Sequence, residues 1–312
     1  KPTPGPQDLL IKVAAISVNP VDAKIRSKRP ATVDEPQVIG WDAVGEVVAV
    51  GAKVQDFAVG DRVFYAGALD RPGSNAEYQL VDARIVGHAP ESLSDPEAAA
   101  LPLTAITAWE LLFDRLGVAE GGGAGQTLLV IGAAGGVGSI LVQLARQLTE
   151  LTVVGTAARE ESAEWAKELG AHHVIDHGKP MLAQLQALGI ESVELIASLT
   201  HTKDHYAQYI ECIAPQGKLG VIDDFDSIDI TQLKSKSASF HWEFMFARSL
   251  YQTADMAEQG VLLNRVAELL DASALRTTLG EHYGVINAAN LMRAHGLLES
   301  GKARGKLVLE GF

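Results

Sequence analysis

The stretch AAGGVG, residues 133–138, has the residue types and spacing best suited to ligand chemistry. A buried-strand pattern, TLLVIGA, precedes it and a helical pattern, SILVQLARQL, follows it, as a dinucleotide-binding turn requires. Glycines let the backbone approach a pyrophosphate, and the start of the helix attracts the phosphates. We predict a nicotinamide dinucleotide here, with a ligand-free turn as the alternative. The predicted contacts are Ala134, Gly135, Gly136, Val137 and Gly138.

The next predicted strand, TVVGTA, indicates which dinucleotide is bound. Sites for NAD usually carry Asp or Glu at the end of this strand, about 20 residues after the glycines. Here Thr156 leads to Arg159, whose guanidinium can pair with a 2′-phosphate. Glu160 and Glu161 need no ligand, because acids favour the start of a helix. The sequence favours NADPH over NADH, with a solvated surface arginine as the alternative for Arg159.

Three regions of different periodicity must position this turn. Residues 9–103 are mostly strand-like, residues 104–244 alternate strands with helices, and the remainder predicts two helices and a terminal strand, RGKLVLEGF. Alternating strands and helices predict a parallel sheet that is covered on both faces. We therefore divide this α/β chain into segments 1–103, 104–244 and 245–312.

Composition excludes several function classes. A chain of 312 residues is long for one hydrophobic core, so two domains are expected. The formal net charge of -13 makes nucleic acid an unsuitable partner. The sequence has no run of 18 apolar residues, so no membrane span is predicted. A cytoplasmic location is expected. The single cysteine, Cys212, excludes an internal disulfide and is predicted to be a small buried residue.

Short stretches spread over nearly the whole chain resemble those of medium-chain dehydrogenases/reductases. They are AISVNPVDAKIRS, VIGWDAVGEVVAVG, VGDRVFYAG, GSNAEYQLVD, AAALPLTAITAWELL, GAAGGVG, LGAHHVIDH and ESGKARGKLVL. The resemblance is to the quinone-oxidoreductase-like branch, and within it to zinc-type alcohol dehydrogenase-like proteins. It implies a GroES-like, β-rich catalytic domain built from both chain ends. A Rossmann domain with a doubly wound parallel sheet would be inserted between them.

The resemblance also places Asn19, Trp41 and Leu103 where zinc-using relatives have Cys, His and Cys ligands. None suits zinc, which needs thiolate, imidazole or carboxylate. The four-cysteine lobe that binds structural zinc is missing from the sequence, and only the acid Asp42 is retained. We therefore predict a protein without zinc. Without a Lewis acid an unactivated alcohol is hard to oxidise, whereas hydride transfer to a quinone or an α,β-unsaturated carbonyl compound stays feasible.

Catalytic candidates follow from the same resemblance. Lys24 stands where relatives have a proton-relay His or a Tyr, so it is either an oxyanion partner and proton donor or a surface lysine. Asn19 could donate its amide to a carbonyl or to the nicotinamide ribose, and Thr107 matches a threonine beside the nicotinamide. The predicted catalytic set is Asn19, Lys24, Asp42 and Thr107, with Asp22 as a further positioning group.

The segment SFHWEFMFARS, residues 239–249, predicts a pocket wall. Its aromatic residues alternate with other side chains, so the strand period would place them on one face. Core or dimer packing is the alternative. The aromatic residues are Phe240, Trp242, Phe244 and Phe246. The predicted pocket residues are Tyr65, Phe240 and Trp242, with core packing as the alternative for Tyr65; the remaining cofactor candidates are His177, Ser198 and Arg304.

These observations predict an NADPH-dependent, zinc-independent reductase of quinones or α,β-unsaturated carbonyl compounds. An NADPH-binding sensor or structural protein with little turnover is the first alternative, and an enoyl-thioester reductase is the second. The resemblance also implies a homodimer that pairs its Rossmann sheets edge to edge. The strand at Lys218–Asp223 and the aromatic run after it would supply that edge, which is otherwise a liability.

Overall fold

The computed structural model describes residues 1–29, 31–32 and 34–312, which form two compact units. The first unit joins Lys1–Ile106 to Met245–Phe312, and the second is Thr107–Phe244. The predicted catalytic domain built from both chain ends, with a Rossmann domain inserted, is confirmed. The second boundary coincides with the predicted one at 244, and the first falls after Ile106 instead of after residue 103.

The described residues form strands and helices in the following order. The strands are β1 (Asp8–Val18), β2 (Ala43–Val50), β3 (Arg62–Tyr65), β4 (Tyr78–Asp82), β5 (Val86–His88), β6 (Thr127–Ile131), β7 (Thr152–Thr156), β8 (His173–Ile175), β9 (Val193–Ser198), β10 (Ile213–Val221), β11 (Ser239–Trp242), β12 (Leu279–His282) and β13 (Lys306–Glu310). The α-helices are α1 (Pro20–Lys28), α2 (Asp95–Ala99), α3 (Pro102–Trp109), α4 (Gly136–Leu148), α5 (Glu160–Glu168), α6 (Met181–Ala187), α7 (Thr202–Cys212), α8 (Ala247–Leu250), α9 (Glu258–Asp271) and α10 (Ala288–Glu299). A π-helical turn, Glu110–Arg115, continues α3. Among these described elements, no helix combines the length and the apolar character that crossing a membrane requires.

The first unit is built on a sheet in which the last strand lies beside the first. Its strand order is β12-β13-β1-β2-β3-β5, and β4 also pairs with β1. β13 pairs antiparallel with β1, from Ala15 opposite Glu310 to Val18 opposite Leu307. β-branched and leucine side chains from both strands enter one buried core, which includes Ile11, Ile16 and Leu309. The chain ends are therefore held together by both backbone pairing and burial.

The second unit contains the predicted parallel sheet, in the order β11-β10-β9-β6-β7-β8. Every residue of β6 is buried, as expected for a parallel strand covered on both faces. The chain proceeds from β6 to β7 and β8 in one direction and then to β9, β10 and β11 in the other. This is the doubly wound order, which places a ligand crevice at the carboxyl ends of the strands where the order reverses. Here that point lies between β6 and β9.

The strand at Lys218–Asp223 and the aromatic run after it were predicted to supply the edge of this sheet, and only the aromatic run does so. β10 pairs with β9 on one side and with β11 on the other, so β11 forms the edge. The aromatic alternation also stops at Trp242, because the last register pair of β11 joins Trp242 to Val221. Phe246 lies in the first unit, where its ring contacts Trp41 edge-on at 6.4 Å between centroids.

Candidate functional sites

The Gly-rich turn follows β6 and is fixed by the end of β7. Gly132 has a φ of 81°, a left-handed conformation that favours glycine. Its N–H donates to Thr156 Oγ1 at 3.1 Å, and the N–H of Ala133 donates to the Thr156 carbonyl at 3.3 Å. Thr156 is 1% exposed, so it holds the turn from inside the unit.

Two glycines of the turn have different roles. A Cβ on Gly138 would lie 2.3 Å from the carbonyl oxygen of Gly132, so only glycine lets α4 pack this close to β6. A Cβ on Gly135 would have its nearest neighbour at 3.4 Å, which is ordinary contact. Gly135 is the N-cap of α4 and therefore stands beside the free amide groups of that helix. This arrangement fits a pyrophosphate, because the turn is tight on its protein side and open beside those donors.

Two of the three candidates for the 2′-phosphate, Arg159 and His177, belong to the same unit as this turn. Arg159 is exposed and is the N-cap of α5, the helix that follows β7. His177 is half-buried after β8, with its Nδ1 3.2 Å from Thr156 Oγ1. Arg304 belongs to the first unit, in the segment that leads into β13. The structure thus brings His177 to Thr156, while Arg159 and Arg304 remain predictions.

The structure gives Ser198 a different role from the predicted one. Ser198 is the last residue of β9 and is fully buried. Its Oγ lies 2.8 Å from the hydroxyl of Tyr209 and 2.7 Å from that of Thr202. The Ser198 hydroxyl therefore ties β9 to α7 and is not exposed to a cofactor.

In the first unit, Asp42 is the centre of a buried polar cluster. This carboxylate is fully buried at the start of β2. It accepts hydrogen bonds from Ser17 Oγ at 2.7 Å, Asn19 Nδ2 at 2.8 Å, the Leu103 N–H at 2.7 Å and Lys306 Nζ at 2.9 Å. Four donors satisfy the carboxylate, so Asp42 organises the domain and is not available as a catalytic acid or base.

Lys306 supplies the positive charge of this cluster, and sequence reasoning missed it. It is the first residue of β13 and is only 3% exposed. Its ammonium donates to the Asn19 side-chain oxygen as well as to Asp42. Asn19 Nδ2 also donates to the Trp41 carbonyl at 3.2 Å, so both the oxygen and the nitrogen of its amide are used in hydrogen bonds. A lysine directly before the apolar run Leu307–Leu309 was the available signal, since lysine is rarely buried without a partner.

Asp22 lies in the same buried region and titrates differently from an ordinary carboxyl. One oxygen accepts the Asn19 N–H at 2.8 Å and so caps α1. The other oxygen has no hydrogen-bond partner among the described residues. Burial is the main cause that raises the pKa of Asp22 to about 7.

The residues at the three zinc-ligand positions do not suit zinc. The Asn19 amide is held by Asp42 and Lys306, and Trp41 directs its indole N–H to the Ala68 carbonyl at 3.1 Å. Leu103 contributes a backbone N–H to Asp42 and an apolar side chain. Across residues 1–29, 31–32 and 34–312, no three His, Cys, Asp or Glu side chains are grouped so that they could hold a metal ion.

The remaining first-unit and α3 candidates differ in exposure. Tyr65 is fully buried in the core of the first unit, which makes it a core residue instead of a pocket residue. Its hydroxyl has no partner within the described chain, and burial raises the pKa of that phenol. Lys24 is exposed on α1, and Thr107 is buried on α3. Their catalytic roles stay predictions.

A second buried carboxyl group, Glu243, was also missed by sequence reasoning. Glu243 follows β11 with its side chain fully buried. Arg115 Nε lies 2.8 Å from Glu243 Oε2, but neither oxygen of the Glu243 carboxyl has a hydrogen-bond partner of suitable geometry among the described residues. Arg115 Nη2 lies 3.9 Å from the carboxyl of buried Glu110. Burial, followed by the charge of Glu110, raises the pKa of Glu243 to about 9. The surroundings of this carboxyl therefore favour its protonated form.

The predicted pocket aromatics form a cluster at the sheet edge. Phe240 and Trp242 lie on β11, with ring centroids 5.1 Å apart and nearly perpendicular planes. Phe225 stacks on Trp242 at 5.1 Å. Trp242 is half exposed, so the cluster presents apolar surface on the outer strand of the sheet. Its role in a substrate pocket stays a prediction.

A β-rich domain formed from both chain ends, with an inserted doubly wound domain that carries a Gly-rich turn, defines the class of two-domain dehydrogenases and reductases. Comparisons with known proteins agree with this class. The family profile for an alcohol dehydrogenase GroES-like domain matches residues 5–91, and that for a zinc-binding dehydrogenase matches residues 169–309. The chain belongs to the medium-chain dehydrogenase/reductase superfamily and is an oxidoreductase of that family.

Individual relatives match over nearly the full length. A zinc-type alcohol dehydrogenase-like protein of Staphylococcus aureus is 41% identical over 99% of this chain and 92% of its own. A crystal structure from Rhizobium etli CFN 42, provisionally described as a zinc-dependent alcohol dehydrogenase protein, is 55% identical with a TM-score of 0.96, covering 100% of this chain and 91% of that one. A quinone oxidoreductase of Pseudomonas syringae pv. Tomato DC3000 is 26% identical with a TM-score of 0.83, covering 100% and 93%.

Proposed function

We propose that the protein is an NADPH-dependent, zinc-independent reductase that transfers hydride to a quinone or an α,β-unsaturated carbonyl compound. The observation that carries the proposal is that the polar side chains at the zinc-ligand positions are unsuited to zinc and are held by hydrogen bonds to other residues. Asn19 is bonded to Lys306 and Asp42, and Trp41 directs its N–H to a backbone carbonyl. With no side chain there suited to a Lewis acid, an acceptor that is already electrophilic is the appropriate substrate. The similarity to a quinone oxidoreductase supports this substrate class.

The second unit would hold the cofactor. The open turn at Gly135 and the amide groups of α4 suit the pyrophosphate, and Gly138 keeps that helix close to the sheet. Arg159 at the end of β7 would pair with the 2′-phosphate, and Thr156 keeps the turn in place from beneath. When bound, NADPH supplies a hydride. The protein must then orient the acceptor and stabilise the negative charge that develops on its oxygen.

Two polar side chains remain candidates for that stabilisation. Lys24 has an exposed ammonium on α1, so it can donate a proton or offset an oxyanion. Thr107 has a hydroxyl on α3 and can donate a hydrogen bond. Asp42 and Asn19 are excluded from direct chemistry in this proposal, because their polar atoms are used inside the buried cluster.

Oxidation of NADPH and NADH, measured by absorbance with a panel of acceptors, tests the proposal. We expect NADPH oxidation with a naphthoquinone or an enone, slower oxidation of NADH, and no reduction of NADP⁺ by simple primary alcohols. Elemental analysis of the same sample should find far less than one zinc per chain, and a chelator should leave turnover unchanged.

Other results of this assay would contradict the proposal. Stoichiometric zinc that can be removed only with loss of turnover would overturn zinc independence. Tight NADPH binding without turnover would favour the sensor or structural alternative, and selective reduction of an enoyl thioester would favour the second alternative.

We also propose that the protein is a cytoplasmic homodimer in which two copies pair along β11. Within the described residues β11 pairs on one side only, with β10, and the Phe225–Trp242 stack lies at that edge. An unpaired edge with exposed aromatic surface favours association with another strand. Sedimentation should give a two-fold dimer at micromolar concentration. A 33.1 kDa species alone would contradict it.

A further inference from the structure

Three histidine side chains cluster at the carboxyl ends of two strands in the second unit. His177 follows β8, whereas His201 and His205 lie at the start of α7, just after β9. The rings of His177 and His205 have centroids 5.4 Å apart, and the N–H of His205 donates to the His201 carbonyl at 3.2 Å. Three groups that become cationic on protonation are thus concentrated at the crevice edge of the parallel sheet.

The cluster shares its neighbours with the Gly-rich turn. His177 Nδ1 lies 3.2 Å from Thr156 Oγ1, the same oxygen that accepts the Gly132 N–H. From the other side, a Cβ on Gly132 would lie 3.1 Å from Thr200 Cγ2, and Thr200 Oγ1 lies 2.7 Å from His201 Nδ1. The turn and the histidines therefore belong to one continuous arrangement of β6, β7, β8 and β9.

The backbone at His201 adds an independent observation. His201 has a φ of 50°, in the left-handed region that non-glycine residues rarely adopt. Its side chain is exposed beside the crevice and is positioned by the hydroxyl of Thr200. Strained backbone conformations cluster at binding and active sites, and the one at His201 is consistent with a side chain held for binding.

The surroundings of two of the three rings favour their neutral form. Burial is the first cause that lowers the pKa of both His177 and His205. Opposing it, Asp176 raises the pKa of His177, whereas Asp204 and Asp223 raise that of His205.

Two of these acids have partners of their own. Asp176 lies 3.3 Å from Lys179 Nζ, and Asp223 accepts the N–H of Thr202 at 3.0 Å. The neighbouring acids do not fully offset the lowering of the histidine pKa values by burial. The rings can therefore still take up protons when an anion binds beside them.

We propose that His177, His201 and His205 together form a proton-dependent binding group for the 2′-phosphate of NADPH, and so contribute to cofactor selection. The proposal rests on the proposed function, because it requires a phosphorylated dinucleotide at the Gly-rich turn. A phosphate dianion beside neutral rings raises their affinity for protons, and those protons come from solvent. The cluster would thereby supply charge to the phosphate in addition to the guanidinium of Arg159.

The expected consequence is a pH dependence that NADPH shows and NADH lacks. If one proton is taken up per cofactor bound, the Kd of NADPH falls about tenfold for each unit by which the pH is lowered. The range from pH 8 to pH 6.5 is appropriate, because the phosphate itself gains a proton near pH 6. NADH carries no 2′-phosphate, so its Kd should hardly change over this range.

Calorimetric titration of both cofactors at several pH values tests this, using two buffers of different ionisation enthalpy to count protons. We expect uptake of about one proton with NADPH for the parent protein. His205→Gln should reduce this proton uptake and flatten the pH dependence of the NADPH Kd. His201→Gln, a change at an exposed residue, should do the same. His173→Gln is the matched control, since it removes a histidine from the opposite end of β8.

The outcomes separate this inference from the proposed function. Tight NADPH binding without proton uptake, or a pH dependence unchanged in both cluster variants, would overturn the role of the histidines. Arg159→Ala provides the other arm, because loss of its charge-assisted bonds should weaken NADPH by about ten- to a hundredfold and leave the slope with pH in place. Absence of NADPH binding at every pH, or equal weakening of NADH and NADPH by Arg159→Ala, would count against the proposed function itself.

Discussion

Replacing Lys306 by methionine should lower the free energy of unfolding of the first unit by about 3–5 kcal/mol, because the variant leaves a buried carboxylate without its cation. Lys306 Nζ lies 2.9 Å from the Asp42 carboxylate, and both side chains are almost completely buried. Solvent therefore cannot replace the lost cation. Methionine fills a similar volume, so the effect reports the charge more than the packing. Urea unfolding followed by circular dichroism measures the change.

A matched control and a double variant define the cause. Lys302→Met removes an exposed lysine from the segment that leads into the same strand and should change stability by no more than about 0.5 kcal/mol. Lys306→Met combined with Asp42→Asn should lose less than the sum of the two single changes, because the uncompensated charge is gone. A loss below about 1 kcal/mol for Lys306→Met alone would show that Asp42 does not depend on this cation.

Replacing Glu243 by glutamine should make the second unit more stable than the parent at alkaline pH. The pKa of Glu243 is about 9 in the folded protein and near 4.5 without the fold. Between these values the folded state holds a proton that the unfolded state releases, so parent stability falls as the pH rises through this window. The slope for one proton is about 1.4 kcal/mol per pH unit. Glutamine does not titrate, so the variant should lack this slope.

Calorimetric melting from pH 5 to pH 9 measures this difference. Glu164→Gln is the control, since it removes an exposed glutamate from α5 of the same unit. That control should follow the parent at every pH. Parallel pH profiles for the parent and Glu243→Gln would mean that Arg115, at 2.8 Å, keeps the Glu243 carboxyl ionised in the folded state.

Local patterns predicted the second unit well. The buried run of β6, the glycines after it and the amphipathic helix α4 are contiguous in sequence, so their period and turn chemistry suffice to predict the strand, the Gly-rich turn and the helix. The alternation of strands and helices then predicts a parallel sheet without any knowledge of long-range contacts. The aromatic alternation failed because strand length is set by a partner: β11 ends at Trp242, opposite Val221 at the end of β10.

The buried charges could not be predicted, because their meaning depends on distant partners. Lys306 and Asp42 are 264 positions apart, and no local period connects them. Glu243 looks like an ordinary polar residue after a strand until Glu110 and Arg115 are seen to approach it. Asn19 and Asp42 were predicted to be catalytic, whereas in the structure their polar atoms are used in hydrogen bonds of the buried cluster.

The position of Lys306 in the chain also has a consequence for biosynthesis. Ribosomes release the amino-terminal end first, at about 5–20 residues per second, so the 264 positions between Asp42 and Lys306 correspond to a delay of roughly 10–50 s. During that time the whole of Thr107–Phe244 is synthesised, while β1 still lacks its neighbour β13. The Asp42 carboxylate therefore gains its cation only after the second unit has been synthesised.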